Sequence, residues 1–400
     1  MDAVQCFSNL IKCAKLVALY RPNVHSYEKG SILKKLMCWL WFLIIHGLLW
    51  FPPAKVIAVL IIEEAESRII PILAVIICFF GFAYISSLSY FALTKNFSKF
   101  CEALNDHQQR YGTMIKMPFI QKVNKIAPYI IVFDVVCISS GIGSVIIIWK
   151  KDMEQYVYPL TFDSLTSTAL VLFTAVLYES IVASHAVILE TIFTEISILF
   201  ISEFTNLSKQ LRVNIGIFNM KENQNSAALE NTIEKLRQEF ISLIDCFESS
   251  NSLVRHFLFG SFAIFIPTFC FMLYGFTRRS LTTGESVYLL LLSGSALVLI
   301  VIFTVAGAIL SVKAREPLDE LMKINVVSVT DKTSQSVILF VSRLTGPTIG
   351  FRVYELFTLD TNTILAALGT LLTYAVVMVQ FSDSDSKKTT ACPSNITLLY

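Results

Sequence analysis

Charge is scarce in this sequence. Only 16% of its 400 residues are Asp, Glu, Lys or Arg, against about a quarter in an ordinary soluble domain. A water-exposed globular surface is therefore excluded for most of the chain. The net charge is +2, so there is neither a basic field for nucleic acid nor an acidic tail. No nucleic-acid partner is expected. The five histidines, His25, His46, His107, His185 and His256, have no metal-ligand spacing. No Gly-rich phosphate loop and no nucleophile elbow is found. Neither catalysis nor a cofactor is expected. The nine cysteines make no CxxC or CxxC…HxxxH pattern and fall mostly in apolar runs. They read as small buried hydrophobes rather than disulfides or metal ligands. No cleavable leader is expected, because the first long apolar segment is too long for one. Inverted repeats with paired broken helices, the mark of many secondary transporters, are not visible.

Apolar runs are plentiful: 54% of residues are hydrophobic and the mean hydropathy is +0.65. Windows of about 19 residues, the length that crosses a bilayer as a helix, pick out seven segments. They are Leu36–Ile62, Ile69–Leu93, Pro128–Trp149, Leu165–Leu189, Phe257–Thr277, Val287–Val312 and Thr363–Phe381. The fold class that follows is all-α, a polytopic membrane protein with seven transmembrane helices embedded in lipid. Pro52-Pro53 predicts a kink or early end in the first span, with Lys55 beyond it reaching the headgroups.

Lys and Arg counts orient the chain. The N-terminal segment and the second, fourth and sixth intervening loops carry six each, while the opposite side carries seven in all. The positive-inside rule puts the N-terminus in the cytoplasm and the C-terminus outside. The layout is then a cytoplasmic segment 1–35, a seven-helix domain 36–381 with helical cytoplasmic extensions 202–256 and 313–361, and an extracellular tail 382–400. Asn395-Ile396-Thr397 is a glycosylation sequon in that outer tail. The sequons at Asn96 and Asn206 fall inside and are expected to stay unmodified. This orientation is opposite to that of a G-protein-coupled heptahelical receptor, and the DRY-like and NPxxY triplets are missing. That class is the runner-up.

The inner loops are long and helical in pattern. In NTIEKLRQEFISLIDCFESS the apolar residues Ile233, Leu236, Phe240, Leu243 and Phe247 form one stripe. LETIFTEISILF continues the fourth span in helical register. Two readings are open: a packed helical base below the membrane, or an amphipathic helix lying on the inner leaflet. KENQNSAAL, Lys221–Leu229, reads as a loop.

The last span, LLTYAVVMVQF, carries Thr373-Tyr374 and, two helical turns later, Gln380-Phe381. Thr363, Thr370, Thr373, Tyr374, Gln380 and Phe381 fall on one helical stripe with Ala366, Ala367 and Val377. Hydroxyls and an amide facing lipid would be unsatisfied, so they should face protein or water. On the residues alone, the stripe either joins this helix to its neighbours or lines water. Asp360 reads as the N-cap of the helix.

The stretch FTLDTNTILAALGTLLTYAVVMVQF resembles the insect gustatory receptor family in its Thr-Tyr, five mostly apolar residues, then Gln-Phe. The seven spans with the N-terminus inside are similar too; the likeness elsewhere is one of layout. The resemblance implies a multi-pass plasma-membrane protein, a tetrameric cation channel opened by a small-molecule tastant. The tetramer would form from identical or related subunits around a pore lined by the final helices. It would place Thr370, Thr373, Tyr374, Val377, Gln380 and Phe381 at the pore and gate, where Phe381 closes the mouth by dewetting. Asp383 and Asp385 would either concentrate cations beyond it or belong to a solvated tail. Sugar-sensing members commonly carry an acid after the Tyr; this chain has Ala375, which favours bitter, plant-derived compounds over sugars. A sugar-gated member remains an alternative.

The resemblance also implies a pocket in the outer half of each subunit. With this topology, the residues on offer there are Phe79, Ser139, Ser140, Thr174, Tyr178, Glu179, Phe265, Phe269 and Ser293. Aromatic walls with a few hydroxyls suit small organic molecules, and they equally suit plain helix packing. A carboxylate at the depth of Glu179 needs a cavity or a partner. His185 and Asp134 are the candidate partners.

Overall fold

Apolar runs of this length can satisfy every backbone group inside hydrocarbon only as helices, and helices dominate. The structure is a computed structural model that describes residues 3–21, 32–62, 69–112, 114, 116–149, 164–220, 226–277, 282–324 and 330–389. In chain order come α1 (Ala3–Cys6), α2 (Ser8–Leu16), α3 (Ile32–Ile62), α4 (Ile69–Tyr111), α5 (Met117–Ile148), α6 (Leu165–Met220) and α7 (Ser226–Thr277). Next are α8 (Thr283–Leu321), α9 (Asp331–Thr345), a hairpin of β1 (Arg352–Val353) and β2 (Phe357–Thr358), and α10 (Thr361–Thr389). The seven predicted spans fall, to within a residue, inside α3, α4, α5, α6, α7, α8 and α10. The protein is an all-α, polytopic membrane protein. Among the described residues, Met117–Ile148, Leu165–Phe218, Leu229–Cys270 and Leu297–Leu321 are long and apolar enough to cross a bilayer, and Leu36–Phe51 is a shorter apolar stretch.

The helices overrun their predicted spans mainly at one end, the end that the basic residues assign to the cytoplasm. There α4 continues from Leu93 to Tyr111, α6 from Leu189 to Met220, and α7 begins at Ser226. These extensions form a packed base. Ile233, Leu236, Phe240, Leu243 and Phe247 are all buried in it, which favours a packed base over a helix lying on the leaflet. Aromatic rings run through it in contact: Phe204–Phe240 at 5.9 Å, Phe240–Phe340 at 5.1 Å, Phe200–Phe247 at 5.2 Å and Phe247–Phe351 at 5.1 Å between centroids. Such edge-on and tilted pairs add to the burial each ring already gains.

Polar groups fix the base elements to one another. The N-cap Thr330 accepts a hydrogen bond from the Thr333 amide at 3.3 Å and starts α9. Ser336 of α9 donates to Glu234 of α7 at 3.0 Å. The Arg237 guanidinium, forked onto Glu234, holds that carboxyl down at about 2. His107 of α4 meets the Ser242 hydroxyl of α7 at 2.9 Å. Burial pushes its imidazole down to about 4, against a small opposing effect of Asp106.

Three expectations are corrected. First, α3 does not end at Pro52-Pro53 but runs on to Ile62. Second, residues 226–229 of the expected loop are the first turn of α7; 221–225 lie outside the described residues. Third, the extension expected to be helical over 313–361 contains the hairpin, paired Arg352 to Thr358 and Val353 to Phe357. Two-residue strands have no periodicity to read, and Tyr354 turns the chain at φ 53. The N-terminal segment, expected only as a cytoplasmic stretch, is built into the fold. The Leu10 amide donates to Asn124 Oδ1 of α5 at 2.9 Å. The carbonyl after α2, at Val17, lies 2.6 Å from His185 Nε2 of α6.

Side chains on the spans point outward much more freely. On α5, Tyr129 is 76% exposed and Phe133 67%, as expected where the surrounding solvent is lipid. Cys38 and Cys137 are exposed, while Cys6, Cys101, Cys246 and Cys270 are buried. Of the inner sequons, Asn96 donates its side-chain amide to the Ser252 carbonyl at 3.3 Å; Asn395 lies outside the described residues.

Candidate functional site

The final helix starts on a reciprocal cap. Asp360 Oδ1 accepts from the Thr363 amide at 2.9 Å and from the Thr363 hydroxyl at 3.0 Å. The Asp360 amide returns a bond to Thr363 Oγ1 at 3.2 Å. Asp360 is thus the N-cap the sequence indicated, and Thr363 belongs to the cap. The hairpin feeds directly into it, since the Leu359 amide donates to the Phe351 carbonyl at 2.8 Å.

Above the cap, α10 is covered on little of its circumference. Thr370, Thr373, Tyr374 and Gln380 are exposed and Val377 is half-buried. The Phe381 side chain lies outside the described residues. The opposite face presents Leu365, Leu368, Leu372 and Val376, also exposed. The satisfaction argument made from the sequence needs correction for the threonines. Thr370 donates to the Ala366 carbonyl at 2.8 Å and Thr373 to the Gly369 carbonyl at 2.7 Å. A hydroxyl that bonds back one turn leaves no polar atom orphaned in lipid, so their polarity alone does not dictate which way they face. The lower stripe borders a cavity of about 580 Å³ between α7, the hairpin and α10, which Thr363, Ala366, Ala367 and Thr370 line with Phe262 and Ile266. Asn362, which the sequence reading passed over, also lines it. A polar residue beside the cap was the signal available.

The expected pocket residues divide into groups. Phe79 of α4 and Tyr178 of α6 meet edge to face at 5.4 Å. Ser139 of α5 is buried and lies 2.9 Å from the Ser180 hydroxyl of α6. Glu179 is buried on the neighbouring position of α6. Phe79, Ser139, Tyr178 and Glu179 therefore lie along one stretch of α6, which Phe79 and Ser139 reach at Tyr178 and Ser180, positions on opposite sides of the helix. Ser140 and Thr174 are exposed and bond to carbonyls of their own helices, Cys137 at 3.0 Å and Leu170 at 2.9 Å. Phe269 is half-buried on α7. The side chains of Phe265 and Ser293 lie outside the described residues. Of the two suggested partners for Glu179, His185 turns instead to the Val17 carbonyl and stacks near His46 at 6.0 Å. Asp134 lies near enough to Glu190 to act on it electrostatically.

Comparison with known proteins follows from this architecture. A family model described as 7tm Chemosensory receptor matches residues 12–385. The chain belongs to the 7tm chemosensory receptor family. That family is one of receptors and not of enzymes. The solved structure of the insect olfactory receptor OR5 from Machilis hrabei in complex with eugenol superposes on this chemosensory receptor with a TM-score of 0.69. It is 10% identical and covers 95% of this chain and 100% of that one. Another structure of the same receptor gives a TM-score of 0.67 at 11% identity, with the same coverage. At such identity the likeness is one of fold. No curated protein matches the chain.

Proposed function

We propose that this chemosensory receptor is a plasma-membrane taste receptor acting as a ligand-gated, non-selective cation channel, opened by a small organic compound of bitter, plant-derived type. Four subunits, identical or related, would set their α10 helices around a common pore. The observation that carries this reading is the state of α10 in the single subunit. It is a capped, regular helix whose polar stripe and aliphatic face are both largely uncovered. A helix of this kind needs further surfaces on both sides. A central water-filled pore takes the stripe at Thr370, Thr373, Tyr374, Val377, Gln380 and Phe381; neighbouring subunits or lipid take the Leu365 and Leu372 side. The eugenol complex of OR5 supports a small organic ligand for this fold. The stretch of α6 with Phe79, Ser139, Tyr178 and Glu179 is the place for it here. Ala375, where an acid would favour sugars, supports the bitter assignment.

The test is electrical. Phe381→Ala should widen and wet the gate, raising current without ligand at normal surface levels, while Val377→Ala leaves the gate closed. Single-channel recording with surface labelling, under blockade of G-protein signalling, separates this from a purely adhesive helix. Normal closed-state behaviour of Phe381→Ala at normal surface density would defeat the gate assignment.

A further inference from the structure

The helices α4 and α7 run antiparallel and touch closely at two glycines. A Cβ on Gly81 would overlap the Ile264 side chain, and one on Gly260 would overlap Ile85. Each glycine thus accepts an isoleucine of the partner helix. Beside this contact the surface is not filled. Ile77, Phe80 and Tyr84 of α4 face Phe259 and Ala263 of α7 across a crevice of about 270 Å³, closed at one end by His256. Apart from its closed end the wall is almost wholly apolar. Phe80 is 45% exposed and Tyr84 47%, so the crevice opens sideways towards the bilayer. It lies on the far side of α4 from Phe79, which packs on Tyr178, and is separate from the proposed tastant site.

The closed end is polar and basic. The His256 Nδ1 bonds the Tyr354 hydroxyl of the hairpin turn. The Arg255 guanidinium sits over the Tyr354 ring, 5.6 Å from its centroid. Along α4, helical spacing continues the Phe80, Tyr84, Leu88 row through Phe91 to Lys95. Phe91, Lys95 and Arg255 are all exposed. The acids nearest in sequence to this end are Glu102, which accepts from the Ser98 hydroxyl at 3.0 Å, Glu248, bonded to Arg352 at 3.3 Å, and Glu355 on the hairpin turn. Two cations therefore stand where the apolar row ends, on the side the charge pattern assigns to the cytoplasm.

We infer that the α4–α7 crevice is a binding site for an anionic phospholipid of the inner leaflet. One acyl chain lies along Phe80, Tyr84 and Ala263, and the headgroup phosphate rests on Arg255 and Lys95. The volume falls below the roughly 300–1,000 Å³ of pockets that enclose drug-sized ligands and suits a slender chain. Basic residues beside a membrane surface attract anionic headgroups in preference to zwitterionic ones. The Tyr354–His256 contact links the site to the hairpin that feeds α10. The inference is independent of the channel reading, and its test needs no current.

Purified receptor in non-ionic detergent is mixed with equal amounts of phosphatidylglycerol and phosphatidylcholine of the same acyl chains, and bound lipid is read by native mass spectrometry. Phosphatidylglycerol should be retained preferentially. Arg255→Gln and Lys95→Gln should each weaken that preference about fivefold, the factor equivalent to about 1 kcal/mol per basic residue. Both residues are exposed, and because Arg255→Gln also gives up the contact with the Tyr354 ring, its melting temperature is checked against wild type. Ala263→Phe fills the crevice and should reduce retention of both lipids, with melting temperature and elution volume checked against wild type. Equal retention of the two lipids by wild type would overturn the proposal. So would a preference unchanged in the Arg255→Gln, Lys95→Gln double variant.

Discussion

The two ends of the long helices differ in how they are held. In the base, Phe200, Phe204, Phe240, Phe247, Phe340 and Phe351 are fully buried and touch one another. Along the spans, rings such as Phe133, Phe173 and Tyr129 are turned outward. The same apolar composition gives opposite results because the solvents differ. Water drives the base rings together. Hydrocarbon offers no such drive, and helices there hold by close packing at small residues and by hydrogen bonds, as at Gly81, Gly260 and the Ser139–Ser180 pair. The base is held by buried rings, and the spans by a few close contacts and hydrogen bonds.

The contrast is broken or sharpened first by paired truncations. Phe247→Ala should cost about 3–5 kcal/mol and deplete folded receptor at the surface, whereas Phe133→Ala should stay within about 0.5 kcal/mol. Thermal unfolding followed by size-exclusion, with surface labelling, measures both, and equal losses would erase the distinction. Acid should then act on the base through His107. Its folded-state value, about 4, lies below the ordinary 6.5, so the unfolded chain binds the extra proton between those values. Stability is unaffected above about pH 6.5 and falls as pH drops towards 4, by at most about 1.4 kcal/mol per pH unit. His107→Gln should flatten that slope in melting curves taken from pH 7 to pH 5. An unchanged slope would mean that His107 does not report on the base.

Smaller effects are expected nearer the membrane. Asp360→Ala removes the acceptor that starts α10 and should cost about 1 kcal/mol; Asp360→Asn should recover most of it. A larger loss than that from Phe247→Ala would show that the base does not dominate. Least is expected of Ser139→Ala, which breaks one hydroxyl pair between α5 and α6. Its melting temperature should barely move, while the ligand dose–response should shift if the stretch around Tyr178 and Glu179 receives the tastant. An unmoved dose–response would return Ser139 to packing alone.

How legible each part was in the sequence follows from how local its signal is. The spans could be read because each is a continuous apolar run. The buried stripe from Ile233 to Phe247 could be read because its spacing of three and four residues is that of a helix. Asp360 was found because an N-cap acts within three residues. The hairpin was not, since Arg352-Val353 and Phe357-Thr358 are too short for alternation. Of the kink or early end expected at Pro52-Pro53, the early end does not occur, since α3 runs on to Ile62, the bound set by the apolar run. The orientation of the Thr370 and Thr373 hydroxyls was argued from burial alone, without the carbonyl one turn away. The docking of α2 was invisible, since Asn124 and His185 lie 114 and 168 positions from their partners.

That last separation has a consequence for how the molecule is made. The ribosome delivers residues 3–21 well before the side chains that hold them. At roughly 5–20 residues per second, Asn124 follows Leu10 by about 6 to 23 seconds and His185 follows Val17 by about 8 to 34 seconds. Until Asn124 is made, Leu10 and Ile11, buried in the finished protein, lack the α5 surface on which this segment docks. A nascent chain halted before α5 can have its early spans inserted and still lack the Asn124 partner of residues 3–21.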